Sequence, residues 1–322
     1  MRAVQVTKLE GPESVEIVEI AEPTPEPGEV VIEVHAAGFA FPDVLQTRGM
    51  YQYQPDLPFT LGSEMAGVVR TAPADSGLAA GDRVVALGIN RGMAEVACIP
   101  SSQVFRLPDS VPMEQAAGLL FNDLTVHFVL TKRAGMVRGE TVLVHGAAGG
   151  IGVSALRLAP ALGAGRVLAV VSDEAKAAVA REAGADDVVL VDGWLNRVRE
   201  LTGSGVDVVV DPVGGDRFTD SLRSLRPGGR LIVVGFTAGE IPTVKVNRLL
   251  LNNIDVRGAG WGAWWMTHPG YLHEQWAELE PLYANGAIKP LPLTVLPFDQ
   301  ALDGLLAIDR RQVTGKIVLK VR

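Results

Sequence analysis

Val142-Leu143-Val144-His145-Gly146-Ala147-Ala148-Gly149-Gly150-Ile151-Gly152 decides the fold. A buried-looking, β-branched run ends in a turn of small residues, and a helix is expected over Ile151 to Leu162. Strand, glycine-rich turn and helix in that order bring unsatisfied N–H groups and the positive end of a helix dipole to one point. A pyrophosphate suits that point. Gly149 lets bare backbone approach the phosphates, and Gly152 lets the helix lie close on the strand. Ala148, Gly149, Gly150, Ile151 and Gly152 are the expected dinucleotide contacts. Ala147 stands where the familiar glycine pattern has its first glycine, and an ordinary tight turn between strand and helix is the competing reading.

The same rhythm continues downstream. Arg166 to Val171 reads as a strand and Glu174 to Ala183 as a helix, and Val206 to Val210 and Leu231 to Val234 as buried strands. Apolar strands separated by helices imply a parallel sheet covered on both faces, an α/β fold of the doubly wound Rossmann type. The strand ending at Val171 carries no carboxylate at its last position. An enzyme that prefers NAD usually places an acid there, on the ribose hydroxyls. Ser172 follows instead, and Lys176 lies one turn into the next helix, so both are expected on a 2′-phosphate and NADPH is the expected cofactor. Asp173 is the feature that speaks against this, and a solvated helix face is the plainer account of Lys176. Gly235 and Phe236 follow a later strand, where strand ends meet the ligand crevice, and are also expected at the cofactor.

Upstream the chain is β-rich. Val30 to Val34, Gly62 to Val69 and Gly81 to Leu87 repeat a turn followed by a β-branched run. The tail has expected helices at Ala277 to Asn285 and Phe298 to Ile308, then a strand over Lys316 to Leu319 that is able to return to the first domain. The expected division is 1–123, 124–267 for the dinucleotide domain, and 268–322 completing the first domain. A net charge of −8 speaks against a general nucleic-acid surface. With Cys98 alone, neither an intrachain disulfide nor a multi-cysteine metal site is possible, and filler in a strand is its expected role. The opening residues run straight into strand-like alternation, so a cytoplasmic protein without membrane insertion is expected.

Ala36-Ala37-Gly38-Phe39-Ala40-Phe41-Pro42-Asp43, Leu61-Gly62-Ser63-Glu64-Met65-Ala66-Gly67, Thr141 to Gly152, Asp211 to Gly215 and Thr314-Gly315-Lys316 together resemble the medium-chain dehydrogenase/reductase superfamily. Within it the chain resembles the zinc-free quinone oxidoreductase branch, which includes zeta-crystallin. The resemblance covers essentially the whole chain. It implies a GroES-like catalytic domain beside the Rossmann domain. Zinc-dependent relatives carry a Cys ligand near Gly38–Asp43 and a His ligand after Gly62. Phe39, Ala40 and Ser63 occupy those places, so no metal is expected.

The resemblance also implies Tyr51 on the acceptor side, Thr125 on the nicotinamide amide, and Arg311 on the 2′-phosphate with Lys176. Ala40 stands where the branch often has Asn, and Val191 where it often has Tyr. Asn122 and Asp123 are expected to cap a helix, His127 to pack within a helix, and His145, at the end of its strand, to support the phosphate turn. Trp261, Trp264 and Trp265 are expected either to wall the acceptor or to pack at an interface. The implied activity is metal-free hydride transfer from NADPH to a quinone-type conjugated carbonyl. Reduction of an enone or enoyl thioester is the alternative within that chemistry, and a low-turnover NADPH-binding structural or sensor protein the alternative outside it. Relatives commonly pair as homodimers through a Rossmann edge strand, for which Asn253 to Arg257 is the candidate here.

Overall fold

The computed structural model describes residues 1–322, which form two compact units. The first comprises Met1–Phe121, Gly270–Gly286 and Leu293–Arg322, the second Asn122–Pro269 and Ala287–Pro292.

In the second unit six parallel strands lie in the order Asp187–Leu190, Arg166–Val171, Thr141–His145, Val206–Asp211, Leu225–Val233, Asp255–Gly258. The chain starts mid-sheet, winds to one edge, then returns and winds to the other. Strand order reverses beside Thr141–His145, and the crevice of such a sheet opens at the strands' carboxyl ends. Leu143 lies opposite Leu168 on one side and Val209 on the other. These side chains join Leu231, Trp194, Phe218 and Leu222 in one buried cluster. The strand at Asp187–Leu190 escapes the sequence reading because it is short and only Val189 in it is buried. Leu225–Val233 starts six residues before its expected beginning at Leu231, through Arg226-Pro227-Gly228-Gly229, which reads as a turn. Its pairing shifts register after Val206, which accommodates that polar stretch.

The first unit is mostly antiparallel. Strands Leu293–Pro297, Lys316–Lys320, Glu29–Gly38, Glu64–Thr71, Arg83–Leu87 and Val104–Arg106 follow one another across a sheet, and Val96–Pro100 also pairs with Glu29–Gly38. Val318 lies opposite Gly38, so the tail strand returns to the β-rich unit as its sequence suggests. The helix Ala301–Asp309 follows it there. A Cβ at Gly304 would meet the Phe39 ring at 2.6 Å, and Asp309 takes both terminal nitrogens of Arg48 at 2.6 and 2.9 Å. Phe39 is thereby sealed into a core with Ile32, Leu61, Met65 and Met93. Cys98 is buried in its strand, and burial raises its thiol, as befits a packing residue. The helix Tyr271–Ala284 begins before the expected Ala277. Leu272, Gln275, Trp276, Leu279 and Tyr283 form its buried stripe, which the polar Tyr271–Gln275 segment conceals.

One expectation is corrected. Asn122 and Asp123 do not precede a helix; they lie inside Leu120–His127. Asp123 instead accepts from Arg157 Nη1 at 2.9 and 3.1 Å, with both side chains 1% exposed, and Arg157 Nε donates to Lys289 O at 2.8 Å. Replacing Arg157 with Leu strips a buried carboxylate of its guanidinium. We expect a loss of about 3–5 kcal/mol in stability, read by thermal or denaturant unfolding. A change within the noise of that measurement would show that the ion pair is dispensable to the second unit.

Candidate functional site

Strand Thr141–His145 delivers the chain to the turn at Gly146, whose φ of 57° is left-handed. Gly149 then caps helix Gly150–Ala161 with φ −87° and ψ 175°, an extended conformation open to any residue. Its N–H donates to Gly146 O at 3.0 Å and its carbonyl accepts from Val153 N–H at 2.8 Å. The N–H groups of Gly150, Ile151 and Gly152 sit in the first helical turn, which has no preceding carbonyls to meet them. The turn so presents a row of donors at a helix's positive end, the arrangement that takes a phosphate.

The glycines there serve different purposes. A Cβ on Gly152 would lie 2.3 Å from Gly146 O and 2.5 Å from Ala147 Cα, both rigid backbone. One on Gly150 would meet the Asn122 amide at 2.5 Å. One on Gly149 would meet only Gly146 O, at 3.4 Å, an ordinary contact. Packing therefore requires Gly152, whereas nothing inside the protein requires Gly149. Ala148 is buried behind the turn.

At the end of the neighbouring strand, Ser172, Asp173 and Lys176 form one exposed polar group. Asp173 caps helix Glu174–Ala183 by accepting from Lys176 N–H at 2.9 Å, and also from the Ser172 hydroxyl at 2.8 Å. Lys176 Nζ lies 2.8 Å from Ser172 Oγ and 3.2 Å from Asp173. The amide of Lys176, then Ser172 and the ammonium, hold the Asp173 carboxyl down to about 2. Asp173 is thus engaged with its own helix, and Lys176 is held at the strand end instead of trailing into solvent. Further along, Asp211 accepts from Val213 N–H and Gly214 N–H, both at 2.9 Å, and shapes the Pro212–Gly215 turn. Phe236, beside Gly235, is 40% exposed at the end of the next strand.

His145 is wholly buried. Its Nε2 lies 2.8 Å from Ser221 Oγ, and its ring meets Trp194 edge-on. Burial pushes it down to about 4, so at neutral pH the ring is uncharged. Trp264 stacks on His268 at 3.9 Å, with Phe128 and Lys132 against the same ring system. These contacts account for Trp264 as packing within its unit. Thr125 is buried in helix Leu120–His127.

In the first unit Tyr51 follows helix Phe41–Thr47, and its phenol is raised by burial and then by the field of Asp43. Arg311 is exposed past helix Ala301–Asp309, with a left-handed φ of 57°. Sequence reasoning missed a buried polar cluster of Asp43, Ser63, Glu64 and Lys316. Its signal was present, since each member interrupts an otherwise apolar or glycine-rich motif. These positions do not fit zinc. Phe39 and Ala40 carry no donor atom, Ser63 is bonded to Asp43, and no three His, Cys, Asp or Glu side chains gather as a metal site.

A GroES-like β unit together with a doubly wound sheet defines a nucleotide-dependent dehydrogenase or reductase. Residues 26–109 match the alcohol dehydrogenase GroES-like domain family, and residues 150–284 the zinc-binding dehydrogenase family. Rat quinone oxidoreductase-like protein 2 is 36% identical over 332 residues, covering 100% of this chain and 92% of the relative. A mycobacterial protein solved with NADPH is 35% identical with a TM-score of 0.89, each chain 99% covered. The Thermus thermophilus quinone oxidoreductase, also solved with NADPH, is 32% identical with a TM-score of 0.84, each chain 100% covered. The chain belongs to the zinc-free quinone oxidoreductase branch of the medium-chain dehydrogenase/reductase superfamily. By that membership it is an oxidoreductase. No helix is long and apolar enough to cross a membrane.

The two glycines separate cleanly by stability. Gly152→Ala should lower the unfolding temperature markedly, because rigid backbone must move. Gly149→Ala should leave it within a degree or two, on the order of a surface change. Equal losses in both would show that the turn, and not a ligand, dictates Gly149.

Proposed function

We propose that the protein reduces a quinone-type conjugated carbonyl. The observation that carries the cofactor half of this reading is the bare backbone at Gly149, which no internal packing explains. Gly149, Gly150, Ile151 and Gly152, with Ala148 behind them, hold the pyrophosphate, and Gly235 and Phe236 border the same strand ends. Ser172 and Lys176 take the 2′-phosphate, joined by Arg311 as the family resemblance implies. Asp173 caps its helix and stays ionised beside Lys176, so the phosphate competes with that carboxylate for the ammonium. Thr125 holds the nicotinamide amide. When bound, NADPH supplies the hydride.

On the acceptor side, the residues at Phe39, Ala40 and Ser63 offer no Lewis acid, so polarisation comes from the acceptor's own conjugation and from hydrogen-bond donors. Tyr51 is the donor we assign. Its raised phenol stays protonated across the neutral range and is able to hold an acceptor oxygen as charge grows there. The relatives named as quinone oxidoreductases favour a quinone. We also assign a homodimer through the edge strand Asp255–Gly258, which follows in the chain a segment whose Val246, Leu250 and Leu251 are exposed.

Gly149→Val should remain folded and lose NADPH, because its branched side chain occupies the phosphate's place. Lys176→Ala should weaken NADPH by about 1–3 kcal/mol while leaving NADH nearly unchanged. Calorimetric titration with both nucleotides checks each, and normal NADPH binding by either variant would show the phosphates to be misplaced. NADPH absorbance against a panel of quinones, enones and enoyl thioesters tests the acceptor. Turnover confined to enones or thioesters would replace the quinone assignment, and no turnover at all would favour a binding protein.

A further inference from the structure

Asn122 has no part in the roles assigned so far. It lies inside helix Leu120–His127 and is 7% exposed. Its side-chain amide makes no hydrogen bond within the protein. Its nitrogen and oxygen are nevertheless not among the sealed, unpartnered polar atoms of the interior, so the amide end reaches solvent. The side chain is packed in place and its polar tip is open.

That tip is aimed at one point. The three atoms nearest to a Cβ built on Gly150 are Asn122 Nδ2, Cγ and Oδ1, at 2.5, 3.3 and 3.5 Å. The donor nitrogen is thus the end that lies against Gly150. Gly150 opens helix Gly150–Ala161, and its φ is not left-handed, so no torsion demands a glycine there. The room taken by Asn122 demands it. The two residues, both of the second unit, are matched to bring a side-chain N–H to the start of a twelve-residue helix. The first-turn N–H groups of that helix are already without carbonyl partners, and its dipole favours an anion. The neighbouring carboxylate, Asp123, is engaged by Arg157 and does not take up the amide.

We propose that Asn122 Nδ2 donates to the pyrophosphate of the bound nucleotide, adding a donor from helix Leu120–His127 to those of the Gly149–Gly152 turn. This rests on the nucleotide-binding reading above. Thr125, assigned to the nicotinamide amide, lies three residues further along the same helix, a rise of about 4.5 Å on a neighbouring face position. One rigid helix then holds the nucleotide at two points, and the phosphate contact sets how far the nicotinamide reaches. The pyrophosphate is common to NADPH and NADH. Asn122 therefore contributes affinity for both, whereas Lys176 chooses between them.

Calorimetric titration of the full chain with NADPH, NADH, ADP-ribose and adenosine 2′-monophosphate tests this. Asn122→Ala should weaken the first three alike, by about 10- to 100-fold, as for one hydrogen bond to a charged group. It should leave adenosine 2′-monophosphate, which has no pyrophosphate, unchanged. Asn122→Asp keeps the shape of the side chain, turns a carboxylate toward the phosphates, and should weaken the same three further. It carries the test by itself if Asn122→Ala does not fold. Gly150→Ala should weaken the three in the unaltered chain, because its methyl displaces the amide, and should cost little more in Asn122→Ala, where the amide is gone. Undiminished affinities in Asn122→Ala and Asn122→Asp would overturn the proposal and leave the nucleotide reading intact. A loss confined to NADPH would move the amide to the 2′-phosphate, and a loss that spares ADP-ribose would move it to the nicotinamide; either overturns it. A lower unfolding temperature with unchanged affinities would make Asn122 a packing residue. Failure of the unaltered chain to bind any of the four would overturn both readings.

Discussion

The close approach of helix Gly150–Ala161 to the strand before it is the constraint on which the nucleotide-binding unit depends. Gly152 has no room for even a methyl group against Gly146 O and Ala147. That contact fixes the angle at which the helix leaves the turn, and so aims its first N–H groups beyond the strand end. The strand is itself immovable, since Leu143 is wedged between Leu168 and Val209 at the centre of the sheet. Rigidity at the centre is what lets the turn hold charge without rearranging.

Buried charge is handled differently in the two units. Asp123 and Arg157 form a pair in which each ion cancels its neighbour and the guanidinium also satisfies Lys289 O. It orders three segments. In the β-rich unit, Lys316 is matched to Glu64, and Asp43 is left with hydrogen bonds from Ala40 and Ser63. The first arrangement favours a fixed ionic state. The second leaves a carboxyl that burial raises to about 6, so that it holds its proton more tightly than an ordinary carboxyl. His145 shows a third outcome, since burial beside Trp194 and Ser221 keeps its ring neutral.

The strands that proved legible, Thr141–His145 and Arg166–Val171, are apolar throughout because helices cover both faces, and that pattern survives without any knowledge of neighbours. Asp187–Leu190 was illegible because an edge strand needs less burial. Asp123 looked like a cap because a carboxylate serves equally as a helix cap and as an ion-pair partner. Only the position of Arg157, thirty-four positions away from Asp123, distinguishes the two uses.

The sequence by itself determined the Rossmann order, the turn at Gly149 and the unsuitability of Phe39, Ala40 and Ser63 for zinc, since these follow from local pattern and side-chain chemistry. It placed Ser172 and Lys176 together but left Asp173 ambiguous. Tertiary structure decided that Asp173 caps its own helix, that Gly152 and not Gly149 is demanded by packing, and that Asp43, Ser63, Glu64 and Lys316 converge. The physical reason is range. Periodicity and turn chemistry act over a few residues, whereas desolvation and ion pairing depend on which distant segments the fold brings within a few ångströms. Lys316 enters the cluster only because the tail strand pairs with Glu29–Gly38.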